Sequence, residues 1–405
     1  MRMLRTAVTI GVALIVGVTN LPLDAHKPIT SPYTFAEDVL PILRDRCSAC
    51  HVAGGPAPMP LTTVEETVPW GESIRLELIA GHMPPWSAMS GGRRLRHAEG
   101  LTARELNVLL TWVTGGTPPG DAKPGTAAAI GPEWPLGPPD ATLTLPEVTV
   151  AADETEVTRE FGLTLDAAAR RPLRAVDLRP GTRSLVRSAR VTVRTAAGSA
   201  GDVERLLALW VPGDQPVALP SGAGFAVPDD AQLVVTVRFK KTWEHEREVM
   251  RDRSTLALYF ADADAVAVAA RPAGTAPAPP SPPGTGPSGV VGGVESGERL
   301  AAGTRVLAVY PTAAAAGATI TIDVIPEGGV QRRLLEFTPR RGWERRYWLE
   351  APIDLPRGTQ FQTSVTFETQ PAEPLPGPVI ILNTIPIRQE AATPARPTGA
   401  RSRWP

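Results

Sequence analysis

Both cysteines of this 405-residue chain fall in one short stretch, Cys47-Ser48-Ala49-Cys50-His51. No thiol is left elsewhere for a disulfide staple, so the rest of the chain must hold together by core packing alone. With 44 Pro, 37 Gly and only 5% aromatic residues, the composition favours many short strands and turns over a helical bundle. The length suits two or three domains. A net charge of −1 gives no pull toward nucleic acid or an anionic membrane, and no nucleic-acid partner is expected.

Two thiols at i and i+3 lie on one face of a helical turn, and here a histidine follows directly. That spacing suits covalent attachment of a haem through Cys47 and Cys50, with His51 as an axial ligand of its iron. A redox-active dithiol of the thioredoxin kind would need a buried strand before the motif. The segment from Tyr33 to Arg46 instead reads as an amphipathic helix, with Phe35, Val39, Ile42 and Leu43 at helical spacing. One covalent haem c is therefore expected. At the N-terminus, Arg2 and Arg5 precede an apolar run from Thr6 to Val18, and Ala25 offers a small residue for cleavage. Residues 1–25 read as a signal peptide, with an uncleaved membrane anchor as the alternative. The mature chain is expected in the periplasm or otherwise exported, with no transmembrane span.

After the motif, a second helix is predicted from Leu101 to Val113. Thr102 is its N-cap and Glu105 completes a capping box, Leu106, Leu109, Leu110 and Val113 form its apolar face, and Gly115-Gly116 ends it. A sixth iron ligand must come from between the helices, where Met59, His82, Met83, Met89 and His97 are candidates. Met83 is favoured, because Pro84 and Pro85 stiffen the loop that follows it. His82 is its main competitor, while Met59 reads as a pocket-wall residue and His97 as solvent-facing. Together, residues 33–120 resemble a class I cytochrome c domain. That resemblance implies an axial methionine in such a loop and a terminal helix that closes the haem pocket.

Beyond residue 121 the periodicity changes. Residues 121–139 read as a linker, 271–297 as a second, flexible one, and 389–405 as a disordered tail. Alternation marks strands at Ala141–Leu145, Ala189–Val193, Leu233–Phe239, Ser254–Phe260, Arg305–Tyr310, Ala318–Ile325, Gln360–Phe367 and Pro378–Leu382. The expected fold is multidomain: a small all-α unit at 33–120, then two all-β antiparallel, jelly-roll-like sandwiches at 140–270 and 298–388. Trp134–Asp140, Arg174–Gly181, Asp252–Phe260, Tyr310-Pro311 and Leu355–Thr359 resemble the copper type II, ascorbate-dependent (peptidylglycine hydroxylating-like) monooxygenase fold. That resemblance implies metal-binding histidines where this chain has Arg187-Ser188, Arg238-Phe239-Lys240, Thr312 and Ala314. After residue 97 only one histidine, His245, and one methionine, Met250, remain, too few for two copper sites. No copper is therefore expected. His245 reads as a loop residue, and Trp343 and Trp348 with Arg345 and Arg346 as cover for a sandwich edge.

These expectations describe a one-electron carrier whose β domains serve for docking or scaffolding, with no catalytic residue assigned. Its partners would be redox proteins, among them a membrane electron-transfer complex. The alternatives are a redox enzyme, copper-dependent or haem-based, and a structural haem subunit of a respiratory or photosynthetic complex.

Overall fold

The computed structural model describes residues 30–121 (except 90 and 99), 134–166, 170–195, 204–275, 291–311, 318–340, 342–367 and 379–387. The expected signal peptide, most of the 121–139 linker and the tail lie outside them, as do Thr312 and Ala314. The described residues are mostly β-sheet, in several antiparallel sheets, with a few short helices near the N-terminal end. Among them no helix is long and apolar enough to cross a membrane.

The chain enters the helical part through a π-helical turn, Phe35–Val39, whose N-cap Thr34 accepts from the Glu37 amide. The turn runs into α1 (Leu40–Arg46), where Pro41 falls in the first turn and no backbone donor is lost. A short α2 (Val64–Thr67) follows, then α3 (Gly71–Ile79) and α4 (Ala103–Thr114). Thr102 and Glu105 form the expected capping box on α4. The face α4 buries is centred on Val108, Leu109 and Trp112, with Leu106, Leu110 and Val113 at its flanks. Trp112 is fully buried, tilts against Phe35 at 5.8 Å between ring centroids, and donates its indole N–H to the Pro118 carbonyl at 3.0 Å. Phe35, Val39, Leu43, Leu61 and Leu78 complete this core. Gly115 lets the chain close on itself, since a Cβ there would lie 2.4 Å from the Ser31 amide nitrogen.

A four-stranded sheet orders β3 (Glu156–Thr164), β8 (Gln232–Lys240), β5 (Val186–Arg194) and β6 (Arg205–Trp210). A three-stranded sheet orders β1 (Ala141–Thr144), β10 (Thr255–Phe260) and β4 (Leu173–Arg179), while the short β2 (Val148–Val150) pairs with β9 (Met250–Asp252) and β7 (Ala223–Gly224) with β11 (Val266–Ala267). Val191, Val193, Val235 and Val237 of the first share one core with Val176, Leu178, Leu256 and Leu258 of the second. This is the sheet-on-sheet burial that alternating apolar residues produce. A second core lies between two four-stranded sheets. One orders β12 (Ala269–Thr275), β19 (Val379–Pro386), β14 (Thr304–Pro311) and β17 (Tyr347–Leu355). The other orders β13 (Val291–Arg299), β18 (Gln360–Phe367), β15 (Ala318–Ile325) and β16 (Arg332–Phe337). Val306, Val309, Ile380 and Leu382 meet Ile320, Ile322, Phe337 and Phe361 there. The flexible linker expected over 271–297 is thus entered from both sides by strands, β12 and β13, whose Gly and Pro residues hide any alternation.

Two features join the parts. Residues 86–89 and 91–96 run as a strap along β16 and β17. The Met89 and Arg93 amides donate to Glu336 and Leu334, the Arg96 amide to Trp348, and the Glu350 amide to Arg94. Trp86 stands edge-on to Tyr347. The second feature is an arginine pair. Arg346 donates to the Leu206 and Leu207 carbonyls of β6 at 3.0 and 2.8 Å, and lies over the rings of Phe225, Tyr310 and Trp348. Arg345, only 4% exposed, pairs with Asp214 and lies over Trp86 and Trp343. The pair thus forms an inter-sheet clamp, where an edge cover was expected. Arg346→Ala should lower the denaturation midpoint, by about 3 kcal/mol in stability, because it strips carbonyl partners and three ring contacts at once. Arg346→Lys should recover little of that loss, since an ammonium cannot fork between two carbonyls and stack flat. Equilibrium unfolding of the three proteins in guanidinium checks this.

Candidate functional site

The end of α1 builds the site. Cys47 is the C-cap, its amide donating to the Leu43 carbonyl at 2.9 Å. The Cys50 and His51 amides both turn back to the Cys47 carbonyl, at 3.0 and 2.8 Å. One turn therefore carries both sulfurs and the imidazole. The following loop folds back over it: the Ala57 amide donates to Cys50 and the Leu61 amide to His51. Gly55 is required for this closure, because a Cβ would lie 2.3 Å from the Cys50 carbonyl oxygen.

His51 is buried, and its Nδ1 stands 3.0 Å from the Met59 carbonyl oxygen. A carbonyl can only accept, so Nδ1 carries the proton and Nε2 keeps its lone pair. Burial pushes the imidazole below its ordinary pKa, which holds it neutral and able to ligate a metal. Cys47 packs against the helical core, and burial pushes its thiol up to about 12. A thiol so reluctant to ionise is a poor disulfide-exchange nucleophile. Neither cysteine forms a disulfide, and the Cys50 sulfur faces the Pro212 carbonyl oxygen of the β region at 3.7 Å. Two thiols and a neutral imidazole with Nε2 open on one turn are a donor set that fits a covalently attached haem.

The candidate sixth ligands scatter. Met59 packs against the helical core, as Cys47 does. Met83 follows α3 and is 40% exposed, outside that core. Its loop is held to the second β region, where Arg340 donates to the Gly81 and His82 carbonyls. His82 is exposed and paired with Glu77, and Met89 is half-exposed on the strap. His97 is exposed at the rim of a cavity, and His245 sits on a 3-10 turn against Glu248. The structure thus brings together Cys47, Cys50, His51 and Met59, and sets Met83 apart from them. Among the described residues, no three His, Cys, Asp or Glu side chains are grouped to hold a metal ion.

That cavity, of about 70 Å3, lies between the two β regions and was not foreseen. Asp177, Asp214, Trp210, Arg345 and Arg346 line it, with Trp86 and Arg96 from the strap. The residues that carry charge into it are far apart in sequence, so no spacing announces it.

No protein-family model and no curated protein matches the chain. Solved structures that it is similar to include allantoicase, at 10% identity and a TM-score of 0.18, covering 53% of this chain and 74% of that one. The tandem CBM22 domains of Paenibacillus barcinonensis Xyn10C match at 10% and 0.17, covering 56% and 82%. The VP2 subviral particle of infectious bursal disease virus matches at 12% and 0.19, covering 60% and 72%. Scores this low carry no argument about fold or activity.

The expected family resemblances, to a class I cytochrome c domain and to the copper monooxygenase fold, are therefore corrected: no family model supports either, and the chain is chiefly β-sheet with short helices. The residues that suggested the monooxygenase have local structural roles. Gly181 lies against the Arg253 backbone, and Asp252 accepts from the Thr182 amide and the Ser254 hydroxyl at 2.7 Å each. Such ties serve any antiparallel sheet. The methionine loop that suggested the cytochrome family instead leads into the strap on β16 and β17.

Asp177 is 8% exposed, accepts from the Leu178 amide, and is pushed up to about 6 from 3.8, chiefly by burial and next by Asp214. The folded chain therefore holds this proton more tightly than the unfolded one. The stability it contributes is full below pH 4 and is lost as pH rises through 6. Asp177→Asn should remove that part of the pH dependence and raise stability at pH 7 by about 2 kcal/mol. Thermal melts from pH 4 to 8 check it.

Proposed function

We propose that the chain is an exported one-electron carrier holding a single haem, attached covalently through Cys47 and Cys50. The observation that carries this reading is His51: its Nδ1–H is fixed by the Met59 carbonyl on the turn that bears both sulfurs, leaving Nε2 to face an iron. The bound haem would supply a centre that gains and loses one electron. His51 would hold its iron on one side. Met83 is proposed on the other, from its sequence position before Pro84 and Pro85. The high Cys47 pKa argues against a dithiol function for the same pair. In this reading residues 33–120 form an all-α domain, and the two β regions are sandwich domains that dock or scaffold redox partners. Export rests on the charge and apolar pattern of residues 1–25.

Protein made in cells with a haem-attachment system should keep haem through denaturing electrophoresis and lose it in Cys47→Ala/Cys50→Ala. Retention of no haem by the native protein overturns the proposal. Reduction should give a c-type α band, and the oxidised protein a weak band at the red edge from iron–thioether ligation. Met83→Ala should abolish that weak band while keeping the haem; an unchanged band in Met83→Ala, with loss in Met59→Ala, moves the ligand to Met59.

A further inference from the structure

Arg187 is the extra residue of a β-bulge. In the β5–β8 pairing Val186 faces Phe239 and Ser188 faces Arg238, and Arg187 is left between them without a partner position. Bulges re-aim a side chain out of the regular pleat. Here the guanidinium Nη1 is buried and has no hydrogen-bond partner. A buried donor without an acceptor costs stability and calls for an explanation beyond packing. β5 and β6 pair Ala189 with Trp210, so Arg187 and Pro212, whose carbonyl the Cys50 sulfur meets at 3.7 Å, lie at the same end of these two strands, and the guanidinium is within electrostatic reach of Cys50.

The surroundings do not cancel this charge. Arg238 and Lys240 of β8 stand near it, and the carboxylate that faces them, Glu156 of β3, is ion-paired to Arg238 at 2.8 Å and to Lys240 at 3.7 Å. The patch therefore carries three cations against one carboxylate, with Arg187 half-buried and its Nη1 shielded from water. Burial also pushes the guanidinium down to about 10, which leaves it protonated near neutral pH. Charge held in a water-poor interface acts over longer distances than charge in solvent and is little screened by salt.

We propose that Arg187, presented by the bulge in β5 beside Cys50, is a redox-tuning residue: its fixed positive charge stabilises the reduced state of the haem and raises its midpoint potential. This rests on the haem reading above and gives the first β region a role in it. The reduced iron centre carries one positive charge fewer than the oxidised one, so a nearby cation disfavours oxidation. The electron in the test comes from dithionite and returns to ferricyanide.

The test is a mediated spectroelectrochemical titration of the full-length haem-loaded protein. At the wild-type midpoint, where reduced and oxidised forms are equal, Arg187→Gln should shift the ratio toward the oxidised form by about threefold or more. The shift should persist when salt is raised from low ionic strength to 0.5 M, about the range over which exposed charges are screened. Arg187→Lys should stay near wild type. Arg238→Gln, which leaves Glu156 less neutralised, should shift the ratio the same way, and stands in if Arg187→Gln does not load haem. An unchanged midpoint in haem-loaded Arg187→Gln, or in Arg238→Gln standing in for it, overturns the inference. Absence of covalent haem from the wild-type protein sinks the underlying reading instead.

Discussion

Two buried guanidinium groups hold this molecule together. Taking Arg345 and Arg346 out of water is costly, and the cost is offset by the acceptors and rings that meet each cation. The Leu206 and Leu207 carbonyls and three aromatic rings meet Arg346, while Asp214, Trp86 and Trp343 meet Arg345. These partners come from four separate stretches of chain, around residues 86, 206–225, 310 and 343–348, so the clamp forms only when all four are in place. A hydrophobic joint would tolerate sliding, but a forked donor between two fixed carbonyls does not.

The helical part depends on smaller constraints of the same kind. Threonine caps set where helices begin, and glycines allow backbones to touch at Ser31 and at Cys50. With the backbone so closed, the buried His51 ring is held against the Met59 carbonyl. Its tautomer follows from the carbonyl it faces, not from any charged neighbour.

Much of this was legible in the chain. All eight alternating segments are strands, because a half-buried strand needs period two and little else produces it. The capping box at Thr102 and Glu105 was equally plain. What failed was long-range. β12 and β13 contain Gly and Pro where alternation would be sought, and they are strands through pairing with β19 and β18. Arg345 and Arg346 read as an edge cover because their partners lie more than a hundred residues away. The family resemblances rested on turn residues, which recur wherever antiparallel strands must be tied. The Cys47–His51 turn could be read at once because its chemistry is local, whereas the position of Met83 depends on Arg340, far along the chain.

The strap that starts at Trp86 also protects sheet edges. β16 and β17 are the outermost strands of their sheets, and an open edge offers unpaired amides and carbonyls to any passing chain. The strap occupies both edges at once, through Met89 and Arg93 on one and Arg94 and Arg96 on the other. The N-terminal third thus shields the C-terminal third from self-association. A truncation that kept only the β-sheets would expose two sticky borders, so solubility ties the helices to the sheets.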